Sequence, residues 1–301
     1  CFCLSTPGRC VGRAELGPRL RPKLQPKLRP KLRPGLRSGL QRTMSPGNSH
    51  RPGLRIVAIV PALNEQHTVG ATVVALLRAG AESVIVVDDG STDLTGRVAA
   101  DAGATVVRRE HTGGKGAALF DGLSVARDPA QTSALDGSSG RARVPSSGAE
   151  TDLGYVVFAD ADLGDSAEEI AKAITPVADG LTDMAVAGFP AAVGGGFGLA
   201  VGLARAGVRC LCGVDLKWPL SGQRVLRADL LFGMLDAGLG PERGFGFEVG
   251  LTVDWLRAGY SLAEVPTLMT HRVRGRSVAG FAHRGRQFAA VARALATRLG
   301  E

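Results

Sequence analysis

The chain is poor in the features that mark a zinc module, a redox protein or a membrane span. It has five cysteines, and three of them (Cys1, Cys3, Cys10) fall in the first ten residues. The other two, Cys210 and Cys212, are too close in sequence for an easy disulfide. No His or Cys spacing matches a zinc site, so a reduced, cytoplasmic protein is the expectation. The first residues contain no long apolar run of the kind that forms a secretory signal. The stretch from Met184 to Ala204 carries no charge, but Pro190 and the run Gly194-Gly195-Gly196 make it a poor spanning helix. It reads instead as a strand (Met184–Gly188), a Gly-rich loop and a helix near Leu199–Arg209. Contact of that loop with the surface of the cytoplasmic membrane is the alternative left open. No Gly-x-Gly-x-x-Gly follows the first strand, which argues against a dehydrogenase, and no Walker spacing ends in Gly-Lys-Ser/Thr.

Basic charge is also missing from most of the chain, although the whole carries +8 over 301 residues. Residues 1–43 hold eight Arg, three Lys and one Glu, a balance of +10, which leaves about −2 for the other 258 residues. The folded part therefore gives no electrostatic case for a nucleic-acid partner. Residues 22–37 repeat Pro-Lys-Leu-Arg-like units about every four residues. Proline at that spacing forbids a continuous helix, and the segment has too little apolar content for a core. Residues 1–54 are read as a disordered tail, with Met44 as the expected translation start and the residues before it untranslated; a basic arm touching anionic lipid is the alternative.

What is present is an alternation of buried strands and helices. Ile56–Val60 is a continuous β-branched run of the kind buried on both faces of a parallel sheet. A helix over Thr68–Arg78 follows, then a strand at Ser83–Val87, a helix at Asp93–Ala102, a strand at Thr105–Val107 and a helix at Lys115–Ala126. Residues 128–151, rich in Ser, Gly, Ala and Pro, read as a surface insertion. Strand Tyr155–Ala159 and helix Ala167–Ala178 continue the pattern, and strand Ser261–Val265 comes late in the chain. The expected fold class is α/β, Rossmann-like, a mainly parallel sheet with helices on both faces. Such sheets bind ligands beyond the carboxyl ends of their strands.

The polar motifs fall at those ends. Asp160-Ala161-Asp162 follows the run Tyr155-Val156-Val157-Phe158-Ala159. Two carboxylates two residues apart at a strand end can reach one hard cation, Mg²⁺ or Mn²⁺, that also holds a diphosphate; a capped, solvated turn is the competing reading. Pro61-Ala62-Leu63-Asn64-Glu65 ends the first strand, and Glu65 with nearby backbone groups is a candidate to bind the edge of a base. In Asp88-Asp89-Gly90-Ser91-Thr92, paired carboxylates need a partner, such as a uracil N–H or ribose hydroxyl for Asp89. Gly90 permits a tight turn there, and Ser91 or Thr92 can cap the next helix. Thr112-Gly113-Gly114-Lys115-Gly116 opens a helix, so its glycines let a ligand approach and Lys115 offers charge to phosphate or sugar.

In this order the four segments resemble the family 2 glycosyltransferases and near relatives, which share the GT-A fold. The resemblance covers about residues 55–290, with a nucleotide-sugar half (55–165) and an acceptor half (166–290), and residues 291–301 as a C-terminal helix end. It implies a glycosyltransferase (a hexosyltransferase) that takes a nucleotide-sugar donor, most simply a UDP-sugar. Pro61, Ala62, Leu63, Glu65, Asp89 and Gly90 would then hold the nucleotide, with Lys115 near base and ribose. Asp160 and Ala161 would lie at the donor, and Asp160 and Asp162 would bind Mg²⁺ or Mn²⁺. Ser221-Gly222-Gln223-Arg224 looks like the segment found near donor sugar and diphosphate, which makes Gln223 and Arg224 substrate ligands. The run Gly244-Phe245-Gly246-Phe247-Glu248 opens a helix and resembles polyprenol-phosphate glycosyltransferases and glucosyl-3-phosphoglycerate synthases. Glu248 is the candidate acceptor-side carboxylate, and with Asp162 it forms the expected catalytic pair. His271 is the candidate further metal ligand, and Arg272 and Arg274, with Arg276, suit a diphosphate or phosphorylated acceptor. Family 2 membership implies inversion with Glu248 as base; likeness to phosphoglycerate glucosyl transfer implies retention.

The acceptor expected on this reading is a lipid phosphate or a small phosphorylated molecule, and a homodimer is compatible with it. Two rival functions compete. A nucleotidyltransferase would carry a Gly-rich loop with Arg and Lys after the first strand, where this chain has Pro61-Ala62-Leu63-Asn64-Glu65. A non-catalytic nucleotide-sugar binder would not need Asp160, Asp162, Arg224 and Glu248 together.

Overall fold

The computed structural model describes residues 55–128, 153–189, 198–240, 244, 246–270 and 278–299. The basic tail, most of the 128–151 insertion, the Gly-rich loop at 190–197, and His271, Arg272, Arg274 and Arg276 lie outside the described residues.

Four strands form the parallel half of one sheet: β1 (Arg55–Ala62), β2 (Ser83–Asp88), β3 (Thr105–Arg108) and β4 (Leu153–Phe158). Three more complete it: β5 (Met184–Gly188), β6 (Arg224–Arg227) and β7 (Leu262–Pro266). The order is β3-β2-β1-β4-β6-β5-β7, and β6 runs antiparallel to both β4 and β5. The expectation of a mainly parallel α/β sheet is met, with β6 as an antiparallel strand in its middle.

Alternation along the strands decides which helix covers which face. Val57, Ile59, Ile85, Val87, Val156 and Phe158 share one apolar cluster. That cluster includes residues of α3 (Lys115–Arg127), α6 (Ala228–Asp236) and α7 (Phe247–Arg257). Ala58, Val60, Val84, Val86 and Val157 share the other cluster. It is covered by α1 (Val69–Arg78), the 3₁₀ turn Gly164–Ile170 and α4 (Ala171–Ala178). Ile59, Val60, Val86 and Val87 are all at 0% exposure. Each such side chain contributes about 1.5–3 kcal/mol when fully buried, so both faces of the β1-β2 pair are committed to the core and only strand ends are left for chemistry.

The helix expected over Ala167–Ala178 begins as that 3₁₀ turn. Between β2 and β3, α2 (Thr95–Asp101) is shorter than expected. Just before it, Asp93 Oδ1 accepts from the Thr95 amide at 2.9 Å, while the N-cap position itself is Leu94. Ser91 and Thr92, expected as caps, are bound instead to Asn64. The Ser91 hydroxyl accepts from the Asn64 amide, and the Thr92 amide donates to Asn64 Oδ1, both at 2.9 Å.

A third apolar cluster joins α5 (Gly198–Cys212) and α7 to α8 (Val278–Leu299). Residues 291–299 are thus the end of a 22-residue helix that begins at Val278. Among the described residues no helix is long and apolar enough to cross a membrane.

Candidate functional site at the carboxyl end of the sheet

Three segments far apart in sequence meet just beyond the end of β4. Asp160 lies two residues past Phe158, where the chain turns. Thr72 of α1, fully buried, fixes that turn. Its hydroxyl donates to the Ala161 carbonyl at 3.0 Å and accepts from the Gly164 amide at 2.9 Å. Lys115 is the first residue of α3, and Gly122 within that helix lets it press on β1, because a Cβ there would collide with Ile59. Glu248 sits in the first turn of α7 and is 8% exposed.

Lys115 Nζ lies 2.6 Å from Asp160 Oδ1 and 2.9 Å from Glu248 Oε1. Burial works against the ammonium, but the two carboxylates outweigh it and hold its pKa above the ordinary lysine value. The other Asp160 oxygen, Oδ2, accepts from Gln223 Nε2 at 2.6 Å. A carboxylate can only accept, so the Gln223 amide nitrogen faces Asp160. Gly222 makes room for all of this, because a Cβ there would run into the Lys115 ammonium.

Asp89 occupies a different setting from the one expected. Its Oδ1 accepts from Arg109 Nη1 at 2.7 Å and from the Gly113 amide at 2.9 Å, and its Oδ2 accepts from the Gly114 amide at 2.8 Å. The amides before α3, expected to face a ligand, are gripping Asp89. Gly114 has φ +84°, and it carries the chain out of this grip and into the helix. Gly90, at φ +82°, turns the chain just after Asp89. Arg109 also pairs with Asp121 at 3.0 Å, so it ties α3 to the β2 end. Sequence reasoning missed Arg109 and Thr72, since neither belongs to a recognisable motif.

Pro61 and Ala62 close β1, Leu63 is 39% exposed, and Glu65 is buried with Oε2 accepting from the Thr68 hydroxyl at 3.1 Å. Asn64 between them has φ +55°, a conformation that asparagine tolerates better than most side chains. Its bonds to Ser91 and Thr92 join the β1 and β2 end loops into one ledge.

Arg224 requires a correction. It was expected to meet phosphate, yet it is 0% exposed. Its Nε donates to the Ser221 carbonyl at 2.9 Å, Nη1 to Thr252 Oγ1 at 2.8 Å and Nη2 to the Pro219 carbonyl at 2.9 Å. Burial pushes its pKa down to about 10, against the pull of Glu248 and Glu264. The guanidinium is a clamp between the 219–224 turn and α7, with no face turned to a ligand. Gln223, also 0% exposed, reaches the site only through Asp160.

The donor set suits a hard divalent cation. Asp160 and Asp162 would both offer carboxylate oxygens, and Asp160 already stabilises one cation, the Lys115 ammonium. Among the described residues no group of three His, Cys, Asp or Glu side chains is gathered to hold a metal without help from a ligand. A bound diphosphate would supply the missing oxygens.

Comparison with known proteins agrees with this geometry. The sequence pattern described as "Glycosyl transferase family 2" matches residues 57–135, the β1–α3 half that carries the ledge and Lys115. An undecaprenyl-phosphate mannosyltransferase of Micrococcus luteus is 28% identical over 235 residues, which is 74% of this chain and 87% of that protein. The crystal structure of glucosyl-3-phosphoglycerate synthase from Mycobacterium tuberculosis with Mn²⁺, UDP-glucose and phosphoglyceric acid superposes with a TM-score of 0.60 at 26% identity. That match covers 82% of this chain and 80% of that one. The chain carries the family 2 glycosyltransferase pattern over residues 57–135 and is similar to glycosyltransferases along most of its length. The expected GT-A-type α/β fold is borne out by the same likeness. A shorter match, 39% identical over 71 residues, is to an uncharacterized protein of Methanocaldococcus jannaschii, and it spans 29% of that relative's length. In this glycosyltransferase, then, Asp160, Lys115 and Glu248 are brought together, Asp89 and Arg224 are held by protein groups, and the ledge at 61–65 borders the same end of the sheet.

Proposed function

We propose that the chain transfers a hexosyl group from a UDP-sugar to an oxygen of a phosphate-bearing acceptor. The observation that carries this reading is the convergence of Asp160 and Glu248 on one ammonium at the carboxyl end of β4. One carboxylate faces the donor side and the other stands at the start of a different helix, on the acceptor side. The M. tuberculosis structure with Mn²⁺ and UDP-glucose supports the donor, and the two relatives, with phosphoglycerate and undecaprenyl phosphate in their names, support a phosphorylated acceptor.

On this reading the 61–65 ledge, with Glu65, Asp89 and Gly90, borders the base and ribose. Asp160 and Asp162, with His271 as a further ligand, would hold Mg²⁺ or Mn²⁺, which when bound would supply positive charge against the departing diphosphate. Lys115, paired with Asp160, adds its own positive charge on that side. The acceptor oxygen forms a bond to the anomeric carbon, the bond from that carbon to the diphosphate oxygen breaks, and the acceptor proton passes to Glu248. Arg272 and Arg274 are assigned to the acceptor phosphate. The transfer inverts the anomeric centre when Glu248 is the base.

The test is calorimetric titration of UDP-glucose, GDP-mannose and UDP into the full chain, with Mn²⁺ and with EDTA, and again into Asp162→Ala. Metal-dependent binding of a UDP-sugar that is lost in the variant is expected. Binding of no nucleotide under either condition would sink the reading. Glu248→Gln with unchanged turnover would remove Glu248 as base and favour retention.

A further inference from the structure

We propose that Lys115 is an internal counter-ion shared by the donor and acceptor sides, so that Glu248 sets the affinity of Asp160 for its divalent cation through Lys115. This rests on the reading of Asp160 as a metal ligand.

The geometry carries the argument. One ammonium serves two carboxylates, at 2.6 Å from Asp160 Oδ1 and 2.9 Å from Glu248 Oε1. A divalent cation on Asp160 meets that ammonium as a like charge next to a shared oxygen, and the two repel strongly at such range. Gln223 holds the other Asp160 oxygen, so the carboxylate cannot simply rotate to offer a free side. Lys115 must therefore give way. Its four-carbon stem is flexible, and Glu248, already within ion-pair distance, is where the ammonium can stay. Gly222, which carries no side chain, lines the space around Nζ. Glu248 thus has a second role beside any part in proton transfer: it draws Lys115 off Asp160. Without Glu248, Lys115 has Asp160 alone as its carboxylate and competes harder with the metal.

The consequence is a coupling between two residues that can be measured without turnover. Mn²⁺ binding to the full chain, with saturating UDP to supply the diphosphate oxygens and no acceptor, is read from the electron paramagnetic resonance signal of free Mn²⁺. Four proteins form a cycle: the parent, Lys115→Met, Glu248→Gln and the double variant. Lys115→Met is expected to tighten Mn²⁺ binding, and Glu248→Gln to weaken it by about tenfold in the parent. In the Lys115→Met background the same Glu248→Gln change is expected to cost less than about threefold, since only the direct loss of a nearby negative charge remains. Lys115→Arg keeps the cation and is expected to restore the full sensitivity to Glu248. Thermal unfolding of each variant shows whether it is folded.

Equal Glu248→Gln effects with and without Lys115 would overturn the inference, as would a Lys115→Met protein with unchanged Mn²⁺ affinity. Asp162→Asn separates this failure from that of the functional reading. Loss of Mn²⁺ in Asp162→Asn together with a flat Lys115–Glu248 cycle overturns the counter-ion alone. A parent protein that binds no Mn²⁺ even with saturating UDP overturns both.

Discussion

Gly222 and Lys115 share one small volume: any side chain on Gly222 would run into the lysine ammonium and lie 3.2 Å from both Asp160 carboxylate oxygens. The backbone at 222 is therefore part of the site's wall. Gly222→Ala adds a single methyl beside the ion pair, away from the apolar clusters, so the fold should tolerate it. The expected outcome is a loss of at least about tenfold in kcat/KM for donor turnover, on the scale of misplaced reacting groups, with Tm nearly unchanged. Steady-state kinetics and thermal unfolding check it. Full activity would mean that Lys115 works elsewhere.

Gln223 acts through Asp160. Its amide donates at 2.6 Å to Oδ2, and it is fully buried. Gln223→Glu has nearly the same shape but replaces a donor with a like charge against Asp160. Two carboxylates that close cannot both stay ionised comfortably, so one is pushed toward its protonated form. Mn²⁺-dependent donor binding should weaken by about tenfold or more, since a shift of one pKa unit corresponds to about 1.4 kcal/mol. The loss should be smaller at higher pH, where both groups ionise. Calorimetric titration at two pH values reads this directly.

Arg224 separates a ligand from a structural clamp. Arg224→Met removes three donors and leaves the Ser221 and Pro219 carbonyls and the Thr252 hydroxyl without them. Each buried polar group left unsatisfied costs about 1–3 kcal/mol, so a loss of several kcal/mol in unfolding free energy is expected from urea titration. Donor affinity of the protein that remains folded should change by less than about threefold. A stable variant that fails to bind donor would return Arg224 to the diphosphate.

The contrast between Arg224 and Lys115 shows what the sequence could and could not disclose. Ile56–Val60 and Ser83–Val87 were legible as strands because apolar residues buried on both faces leave an unbroken run, and the end of such a run marks where chemistry can sit. That logic placed Asp160, Glu65 and Asp89 at the rim correctly. The strand Arg224–Arg227 was not legible. It has four residues with an arginine at each end, and only its pairing with β4 and β5 on both sides makes it a strand. A buried arginine looks the same in sequence as one exposed to phosphate, because its partners here are backbone carbonyls and one hydroxyl. The Asp89 grip was hidden for the same reason: two of its three donors are main-chain amides, which carry no residue signature. The meeting of Lys115, Asp160 and Glu248 joins three elements, so it could be inferred from family resemblance only as a region, not as a shared ammonium.

The last turn of the C-terminal helix is fastened by a buried ion pair, and this makes its own prediction. Arg298 Nε and Nη2 donate to Asp254 Oδ1 and Oδ2 at 2.7 and 2.6 Å, with both side chains under a tenth exposed. Gly250, one turn earlier on α7, allows the approach, since a Cβ there would lie 2.9 Å from Nη2. Arg298→Met strands the Asp254 carboxylate in the interior, and breaking such a pair from one side typically costs about 3–5 kcal/mol. Replacing both partners, Asp254→Leu with Arg298→Met, leaves no buried charge and should recover most of that loss. The single variant should also expose α8 to limited proteolysis, because Val291, Ala294 and Leu295 are its described contribution to the third apolar cluster. Unfolding free energies of the two single variants and the double variant decide the matter. A double variant as unstable as Arg298→Met would show that shape at this junction, rather than charge pairing, holds the helix down.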